Sequence, residues 1–417
     1  MKALALTFRG GVYVPKEKNT SAKETRIFSS PKSVSIPYDN SVPKVKIGDR
    51  VDMGQIIASA DDSYSVHASV SGTVTAIDEN NIIIENDGED RVSSDIRPYE
   101  GSFEELNFDL VLDTVRRGGI PAYKSIEAAR DKVDTLIIDC VEDEPYLCAT
   151  HRILIEETDA LIGGMKILLK ALGLRTADIA IGDDKPDAIK LLRQAIGSEE
   201  YAELKVLKTK YPQKDEKLLV YTVAEQQIPV GKSAIDMGCV IFDARTCVDI
   251  YNAFVYGMPL VKRTVTVDGD CIADPCCVRC PIGSSYGELI DFCGGKREEI
   301  NKIIDGGLMR GREASADNAL TDNTVALLAL SHKFFASLDQ TSECIRCGRC
   351  VEGCPMGLMP NYLAIYAGEG RYDLCDKYNV MSCIECGVCS YLCPGNMPIA
   401  ELNREAKSKI NANGGDE

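Results

Sequence analysis

The N-terminal quarter of the chain alternates apolar and polar positions with the period of two that a half-buried β-strand requires. The clearest alternating run spans residues 66–77, and a second lies at 45–58. Gly-Asp and Gly-Gln dipeptides interrupt the second run where turns are expected. His67 lies within the first run and is predicted to be an ordinary strand residue rather than a ligand. The pattern predicts that residues 1–104 form a small domain of short strands.

From residue 105 to residue 245, short apolar runs alternate with longer segments of helical periodicity. Residues 135–139 and 177–181 are predicted strands, and 153–174 is predicted to be one amphipathic helix that ends near Gly173. Strands that alternate with helices predict a mainly parallel sheet. Such a sheet usually binds its ligand outside the carboxyl ends of the strands.

The pattern changes twice more toward the C-terminus. Residues 246–310 mix short strands with a helix predicted at 286–292, which indicates a compact α+β module. Residues 311–340 are predicted to be helical and to lead into the remainder of a helical domain that spans 311–417. The predicted fold class is therefore multidomain, α/β and α+β, with a helical C-terminal domain.

That last domain contains two copies of the motif C-x2-C-x2-C-x3-C-P. The eight cysteines are Cys344, Cys347, Cys350, Cys354, Cys383, Cys386, Cys389 and Cys393. The spacing is typical of [4Fe–4S] ligation, in which three closely spaced thiolates surround one cluster and the fourth ligates the other cluster. We therefore predict two clusters, one bound by Cys344, Cys347, Cys350 and Cys393 and the other by the remaining four cysteines.

Zinc and disulfides are weaker explanations of these cysteines. Structural zinc sites use four ligands, commonly as two C-x2-C pairs, and would leave much of this pattern unused. Disulfides suit secreted proteins, and the start of the chain has too short an apolar run for a secretory signal. The segment between the motifs, 355–382, has a helical pattern, so we expect a helical kind of ferredoxin module in which Cys375 is a buried thiol.

Composition restricts the function further. The net charge of −17 argues against nucleic-acid binding, which depends on basic patches. Eighteen cysteines without an expected secretory signal indicate a reducing compartment. Since no run approaches the roughly 18 apolar residues of a membrane span, we expect a cytoplasmic protein that reaches a membrane only through partner proteins.

Two glutamates, Glu142 and Glu144, follow the strand predicted at 135–139. Acids at the carboxyl end of a strand can hold the ribose hydroxyls of a nucleotide. A solvated loop explains the same residues equally well.

A further pair, Cys277 and Cys280, has the C-x-x-C spacing of a thioredoxin-like dithiol, and Arg279 lies between them where it could stabilise a thiolate. Two alternatives stay open. Cys271 and Cys276 could complete a zinc or iron–sulfur site with this pair, or all these thiols are inert.

Several segments, in order along the chain, resemble the RnfC family, the peripheral NADH-facing subunit of the Rnf electron-transport complex. These are FRGGVYVP at 8–15, DEPYLCATHRIL at 143–154, TKYPQKDEKLLVY at 209–221, GMPLVKRTVTVDGD at 257–270, PIGSSYGELIDFCGG at 281–295 and the two cysteine motifs. The resemblance covers nearly the whole chain. It implies a lipoyl-like barrel-sandwich hybrid domain at 1–104, a Rossmann-like RnfC-type α/β domain at 105–245, a soluble-ligand-binding β-grasp (SLBB) module at 246–310 and a dicluster ferredoxin domain at 311–417.

The resemblance also implies electron transfer through FMN and two [4Fe–4S] clusters, with NADH as the donor in flavin-binding members. The family's loop of the form G-L-G-G-A-G-F-P is shortened here to Gly118-Gly119 followed by Ile-Pro. A glycine-rich loop presents backbone N–H groups to a phosphate. The shortening therefore argues against FMN and NADH binding and leaves Gly118 and Gly119 as the remaining candidates of that loop.

The thiol pair and the shortened loop together resemble the proline reductase-associated electron-transfer proteins, often called PrdC. The leading hypothesis is an electron-transfer protein that relays electrons through two clusters, and through a Cys277/Cys280 dithiol, to a partner reductase such as a proline reductase. One alternative is an FMN-dependent NADH dehydrogenase subunit of a membrane ion-translocating complex. Another is a non-catalytic scaffold whose clusters are structural.

Overall fold

The computed structural model describes residues 5–38, 41–60, 65–335 and 341–413. Three regions built on β-sheets are followed by a helical region. The N-terminal strands are β1 Arg26–Ile27, β2 Ser33–Pro37, β3 Val42–Pro43, β4 Arg50–Val51, β5 Ile56–Ser59, β6 Ser65–His67, β7 Gly72–Ile77 and β8 Asn81–Asn86. All except β1 form two small sheets, ordered β2-β8-β7-β4 and β3-β5-β6. The alternating pattern forms their common core, in which Val74 of β7 pairs with Ile84 of β8 and both are buried.

The second region is a parallel sheet with helices packed on its two faces. Its elements are α1 Phe108–Arg117, α2 Tyr123–Ala129, β9 Thr135–Cys140, α3 Ala149–Glu156, α4 Thr158–Leu172, β10 Ala177–Gly182, α5 Pro186–Ile196, β11 Ala202–Leu207, α6 Glu216–Ala224, β12 Cys239–Asp243 and α7 Ala244–Val255. The strand order is β11-β10-β9-β12, and all three pairings are parallel, as predicted. Leu136 and Ile138 belong to the larger core, whereas Ile137 belongs to a second core that includes residues of α6.

The single helix predicted at 153–174 is instead two helices, so that prediction was wrong. The backbone leaves the helical conformation at Glu157, with φ −126° and ψ 30°. The Glu157 carboxylate bonds to Arg279 at 2.9 Å, and the Thr158 hydroxyl donates to the carbonyl of Leu154 at 2.6 Å. These two side-chain bonds stabilise the break. The predicted end is correct, because Gly173 caps α4 with a left-handed φ of 68°.

The third region is a six-stranded mixed sheet with the order β1-β14-β13-β17-β15-β16. Its elements are β13 Lys262–Asp268, β14 Cys276–Pro281, α8 Tyr286–Phe292, β15 Lys302–Asp305, β16 Arg312–Ala314, β17 Ala326–Leu330 and α9 His332–Phe335. β1 joins β14 in parallel, and so the N-terminal part of the chain contributes an edge to this sheet.

The helical prediction for 311–340 was also wrong over much of its length. Residues 312–314 and 326–330 are strands, and every residue of β17 is buried. A short run that is apolar at every position fits a buried central strand as well as a helix, so periodicity cannot separate the two. The sheet therefore continues past residue 310, where the α+β module was predicted to end. Residues 336–340 lie outside the described ranges.

The C-terminal region consists of short helices around the two cysteine motifs. They are α10 Arg349–Gly353, α11 Pro360–Gly368, α12 Tyr372–Lys377, α13 Val388–Tyr391 and α14 Ile399–Asn413. Cys375 is buried in the core beneath α11, as predicted. Within the described ranges, every helix is too short or too polar to cross a membrane.

The first residues of the chain join the α/β region to the helical region. Leu6 forms a bridge with Leu207 at the end of β11, and Val12 forms a bridge with Tyr211. The amide of Gly11 donates to the carbonyl of Gly353 in α10 at 2.8 Å. This segment holds the cysteine motifs against the carboxyl end of the parallel sheet.

Candidate functional site

The two cysteine motifs adopt the same local structure. Arg346 and Gly348 have φ values of 56° and 79° before α10, and Glu385 and Gly387 have φ values of 54° and 78° before α13. Left-handed residues turn the chain tightly. Each turn therefore wraps around one centre, and the first three cysteines of each motif line a single cavity.

Each cavity receives its fourth cysteine from the other motif. We call the first group the outer set, and it comprises Cys344, Cys347, Cys350 and Cys393. We call the second group the inner set, and it comprises Cys354, Cys383, Cys386 and Cys389. The structure thus brings together the two sets that the sequence predicts. The outer set lies nearer to solvent, because Cys347 is exposed, whereas Cys386 and Cys389 of the inner set are buried.

The lining of both cavities suits a thiolate-bound cluster. Each cavity contains four sulfur atoms and one asparagine, Asn361 in the outer cavity and Asn403 in the inner cavity. The side-chain oxygens of both asparagines are buried without a hydrogen-bond partner among the described residues. Buried polar groups are normally paired, so the unpaired amides are consistent with a bound group. Burial raises the pKa of Cys386 to about 11 and that of Cys389 to about 12, and a metal would have to displace these protons.

Tyr211 connects the inner set to the parallel sheet. Its ring is buried, and its hydroxyl donates a 2.6 Å hydrogen bond to the backbone carbonyl of Cys386. The same hydroxyl accepts a 3.1 Å bond from Nε of Arg310, whose guanidinium also pairs with Asp215 at 2.9 Å. Burial raises the pKa of Tyr211 well above its ordinary value. The hydroxyl therefore stays protonated and remains a donor to Cys386.

Tyr211 and Arg310 also line a cavity of about 860 Å³, open solvent included, at the carboxyl end of β9. We call it the strand-end cavity. Its lining mixes carboxylates with the cations Lys214, Arg245 and Arg310. A cavity at this edge of a parallel sheet is where an α/β domain binds its ligand.

The predicted acids Glu142 and Glu144 both line the strand-end cavity, but their carboxylates already have partners in the protein. Glu142 accepts backbone hydrogen bonds from Thr150 and His151 at the start of α3, at 2.7 and 3.0 Å. Burial acts to raise the pKa of Glu142, yet Lys185, a second lysine and these amides outweigh it, and the pKa lies below its usual value. Burial raises the pKa of Glu144, which accepts from the amide of Met309 at 2.7 Å. These acids fix the walls of the cavity.

Gly118 and Gly119 are not in the strand-end cavity. Their amides donate to carbonyls of α1 at 2.8 and 3.1 Å. Gly119, with φ 66°, packs so closely that a Cβ atom would lie 2.5 Å from the carbonyl oxygen of Ser65. Both amides are therefore used inside the protein, and these residues do not fit the phosphate of FMN.

The structure separates Cys277 from Cys280, so the predicted dithiol is wrong. Both lie on β14, and residues three apart on a strand point to opposite faces of the sheet. The sulfur of Cys277 lies 3.6 Å from the Thr20 hydroxyl, whereas that of Cys280 lies 3.7 Å from the carbonyl of Arg263. Burial raises the pKa of both thiols far above the ordinary value.

The metal alternative for this cysteine group is likewise not supported. Among the described residues, no three His, Cys, Asp or Glu side chains are placed to hold a single metal ion. Cys276 has a different partner, Cys293, with 3.5 Å between the two sulfurs. The proline reductase hypothesis depended on the Cys277/Cys280 pair and loses that support.

Four protein-family models match consecutive parts of the chain. They are the RnfC barrel sandwich hybrid domain at 6–92, the Nuo51 FMN-binding domain at 115–252, the SLBB domain at 264–313 and the 4Fe-4S dicluster domain at 337–394. Together they confirm the predicted fold class.

Among curated proteins, the RnfC-type subunit of the Na(+)-translocating ferredoxin:NAD(+) oxidoreductase complex of Acetobacterium woodii is 35% identical over 402 residues, which cover 90% of each chain. The matching subunit of the proton-translocating ferredoxin:NAD(+) oxidoreductase complex of Clostridium ljungdahlii is 34% identical over 90% of this chain and 88% of that one. The chain belongs to the RnfC family. A third relative, from the ion-translocating oxidoreductase complex of Rhodobacter capsulatus, is 32% identical over 97% of this chain and 83% of its own length.

The RnfC fold extends to a distant solved structure. The H2-reduced NAD+-reducing [NiFe]-hydrogenase matches with a TM-score of 0.51 and 13% identity, over 76% of this chain and 64% of that one. This likeness concerns the fold alone.

Membership of the RnfC family refines two predictions. The resemblance stated from the sequence is confirmed, and so is a 4Fe–4S domain at the C-terminus. The prediction against FMN is only partly consistent with the comparisons, because the FMN-binding domain itself is present, although Gly118 and Gly119 have no free amides for a phosphate. Sequence reasoning missed Tyr211 and Asn403; the only signal for Tyr211 was its place in the family-like segment 209–221.

Proposed function

We propose that this RnfC-family chain is the electron-relaying peripheral subunit of an ion-translocating oxidoreductase complex and that it holds two [4Fe–4S] clusters. The observation that carries the proposal is the pair of cavities, each lined by four cysteines drawn from both motifs. The names of the relatives in Acetobacterium and Clostridium, each a subunit of a ferredoxin:NAD(+) oxidoreductase complex, support the same assignment.

In this proposal the outer and inner sets supply the cluster ligands. Bound clusters would supply one-electron transfer, and the chain supplies their positions. The inner set lies beside Tyr211 and the strand-end cavity. The outer set reaches the surface at Cys347, next to Ile345, which is 70% exposed. We therefore assign the strand-end cavity to the substrate side of the relay and the surface at Cys347 to the side of a partner protein.

No flavin step is part of this proposal, because the residues at Gly118 and Gly119 do not fit an FMN phosphate. The strand-end cavity keeps three cations, Lys214, Arg245 and Arg310, that suit an anionic nucleotide. Without the family's glycine-rich loop, we expect flavin to bind weakly and to be recovered at less than one per chain.

A reductive titration followed by electron paramagnetic resonance tests the relay. Anaerobically purified protein is expected to develop two one-electron signals. Cys386→Ser should abolish one signal and leave the other. Cys375→Ser is the matched control, since Cys375 is a buried thiol of the same region that lines neither cavity, and it should keep both signals. Clusters that accept no electrons would indicate the scaffold alternative instead.

The partner assignment has a separate test. The tagged chain is isolated from detergent-solubilised membranes of its native cell, and the proteins bound to it are identified. The proposal predicts integral membrane subunits of an ion-translocating complex. Recovery of a soluble reductase such as proline reductase, without membrane subunits, would overturn the complex while leaving the cluster proposal intact.

A further inference from the structure

Two buried thiols lie side by side in the third region, away from the relay. The sulfurs of Cys276 and Cys293 are 3.5 Å apart. Cys276 begins β14, and Cys293 follows α8. The amide of Asp274 donates to the carbonyl of Cys293 at 2.9 Å and holds the two segments together.

An arginine from the N-terminal strand lies over this pair. Nη1 of Arg26 is 3.7 Å from the sulfur of Cys276 and 3.1 Å from the carboxylate of Asp274. Nη2 donates to the carbonyl of Phe292 at 3.0 Å, and the guanidinium lies 4.5 Å from the centre of the Phe292 ring. A fixed cation beside a thiol stabilises its thiolate.

The electrostatics distinguish Cys276 from its neighbours on β14. The pKa of Cys276 is lowered, first by the hydrogen bond from Cys293 and then, against the opposing effect of burial, by Arg26. By contrast, burial raises the pKa of Cys277 and of Cys280. Three cysteines on one strand thus differ in reactivity, and only Cys276 has a second thiol in contact among the described residues.

We propose that Cys276 and Cys293 form a peroxide-reactive pair, in which Cys276 is oxidised first and Cys293 closes the disulfide. The thiolate of Cys276 attacks one oxygen of hydrogen peroxide, the O–O bond breaks, and the departing hydroxide takes a proton to give water. Cys293 then attacks the resulting sulfenic sulfur, and its proton leaves with the hydroxide as a second water. Two thiols lose two electrons and two protons, and one peroxide is reduced to two waters.

The depth of the pair selects a small oxidant. Cys276 and Cys293 are 1% and 0% exposed, whereas the side chains of Arg26 and Asp274 above them are 40% and 59% exposed. The thiols therefore lie one side chain below the surface, where peroxide can reach them more readily than a bulky disulfide such as oxidised glutathione. The sulfurs must approach by about 1.5 Å to reach the length of a disulfide bond. This inference does not depend on the proposed relay.

Peptide mapping tests the pair directly. The intact protein is treated anaerobically with one equivalent of hydrogen peroxide, alkylated and digested without reduction. Trypsin cleaves after Arg263, Arg279 and Lys296, so Cys276 and Cys293 fall on the neighbouring peptides 264–279 and 280–296. The expected product is these two peptides joined, with the mass of two hydrogens missing, and fragment spectra that place the bond between the two cysteines.

Variants assign the bond independently. Cys276→Ser and Cys293→Ser should each abolish the joined peptides, whereas Cys277→Ser and Cys280→Ser, equally buried controls on the same two peptides, should retain them. Joined peptides that persist in Cys276→Ser, or their absence from treated wild-type protein, would overturn the proposal. The wild-type fragment spectra decide the assignment even if a variant fails to fold.

Arg26 has its own test as a positioning residue. Arg26→Gln removes the cation and should slow peroxide-dependent closure about tenfold at neutral pH, the effect of a one-unit rise in the thiol pKa. Arg26→Lys should restore part of the rate, because it keeps the charge. Unchanged closure in Arg26→Gln would show that the arginine only covers the pair.

Discussion

The hydroxyl of Tyr211 donates a 2.6 Å hydrogen bond to the backbone carbonyl of Cys386. Tyr211 lines the strand-end cavity, and Cys386 belongs to the inner set. One buried side chain therefore spans the boundary between the ligand-binding edge of the parallel sheet and the nearer of the two cysteine cavities. This contact gives the relay its order, from the strand-end cavity to the inner set and then to the outer set.

Tyr211→Phe should weaken this boundary. The change leaves the carbonyl of Cys386 without its donor, which costs about 1–2 kcal/mol in a buried site, and it should shift the reduction potential of the inner cluster. Tyr201→Phe is the control, because the Tyr201 hydroxyl also donates to a backbone carbonyl, that of Ala195 at 3.1 Å, but on the surface. Thermal unfolding and a potentiometric titration measure both effects. Equal results for the two variants would show that the Tyr211 bond has no special place in the relay.

Cys354→Ser tests the crossed arrangement of the fourth cysteines. Cys354 belongs to the first motif in sequence but lines the inner cavity. The variant should therefore alter the same paramagnetic signal as Cys386→Ser and leave the signal that Cys350→Ser alters. If Cys354→Ser and Cys350→Ser affect the same signal, the ligands are not crossed.

Asn403→Leu should make the reduction potential of the inner cluster more negative. Asn403 lines the inner cavity and is 1% exposed, and a nearby amide N–H group favours the more negatively charged, reduced state, since hydrogen bonds to the sulfurs help to set cluster potentials. Leucine keeps a similar volume without the amide. Asn361→Leu should act on the outer cluster only. A potential unchanged in both variants would argue that the asparagines are purely structural.

Asp268 predicts a pH dependence of stability. Its Oδ2 is buried without a partner among the described residues, and burial raises its pKa to about 6, compared with about 3.9 in the unfolded chain. Between these values the unfolded chain ionises first, so stability falls as pH rises from about 4 to 6 and then stays low. The loss is on the order of 2 kcal/mol.

Asp268→Asn should remove most of that loss. The variant should be more stable than the wild type at pH 7 and should approach the wild type as the pH falls toward 5. Melting temperatures measured from pH 5 to pH 8 test this, with Asp291→Asn at an exposed position as a control that leaves the profile unchanged. A constant difference across the range would mean that Asp268 does not titrate there.

The sequence allowed prediction of those features that depend on local spacing. The two cysteine motifs predict which four thiols meet, because the repeated turn and the exchange of the fourth cysteine are properties of the motif itself. The parallel sheet and the helix at 286–292 follow from alternating periods. The buried run at 325–330 was taken as helix, since a strand buried on both faces carries no period of two.

Features that depend on tertiary register could not be predicted. Cys276 meets Cys293 only because the end of α8 folds back beside β14, while the spacing of Cys277 and Cys280 suggests a pair that the strand geometry separates. Likewise, Glu142 resembles a nucleotide ligand in sequence, but the structure shows that it binds the amides at the start of α3.

The most direct test of the central claim is a count of iron and acid-labile sulfide in anaerobically purified protein, with released flavin measured on the same sample. The account predicts about eight irons and eight sulfides per chain, as two cubane clusters require, with flavin below one per chain. About four irons after anaerobic reconstitution would leave one of the two cysteine sets without a cluster and would contradict the relay.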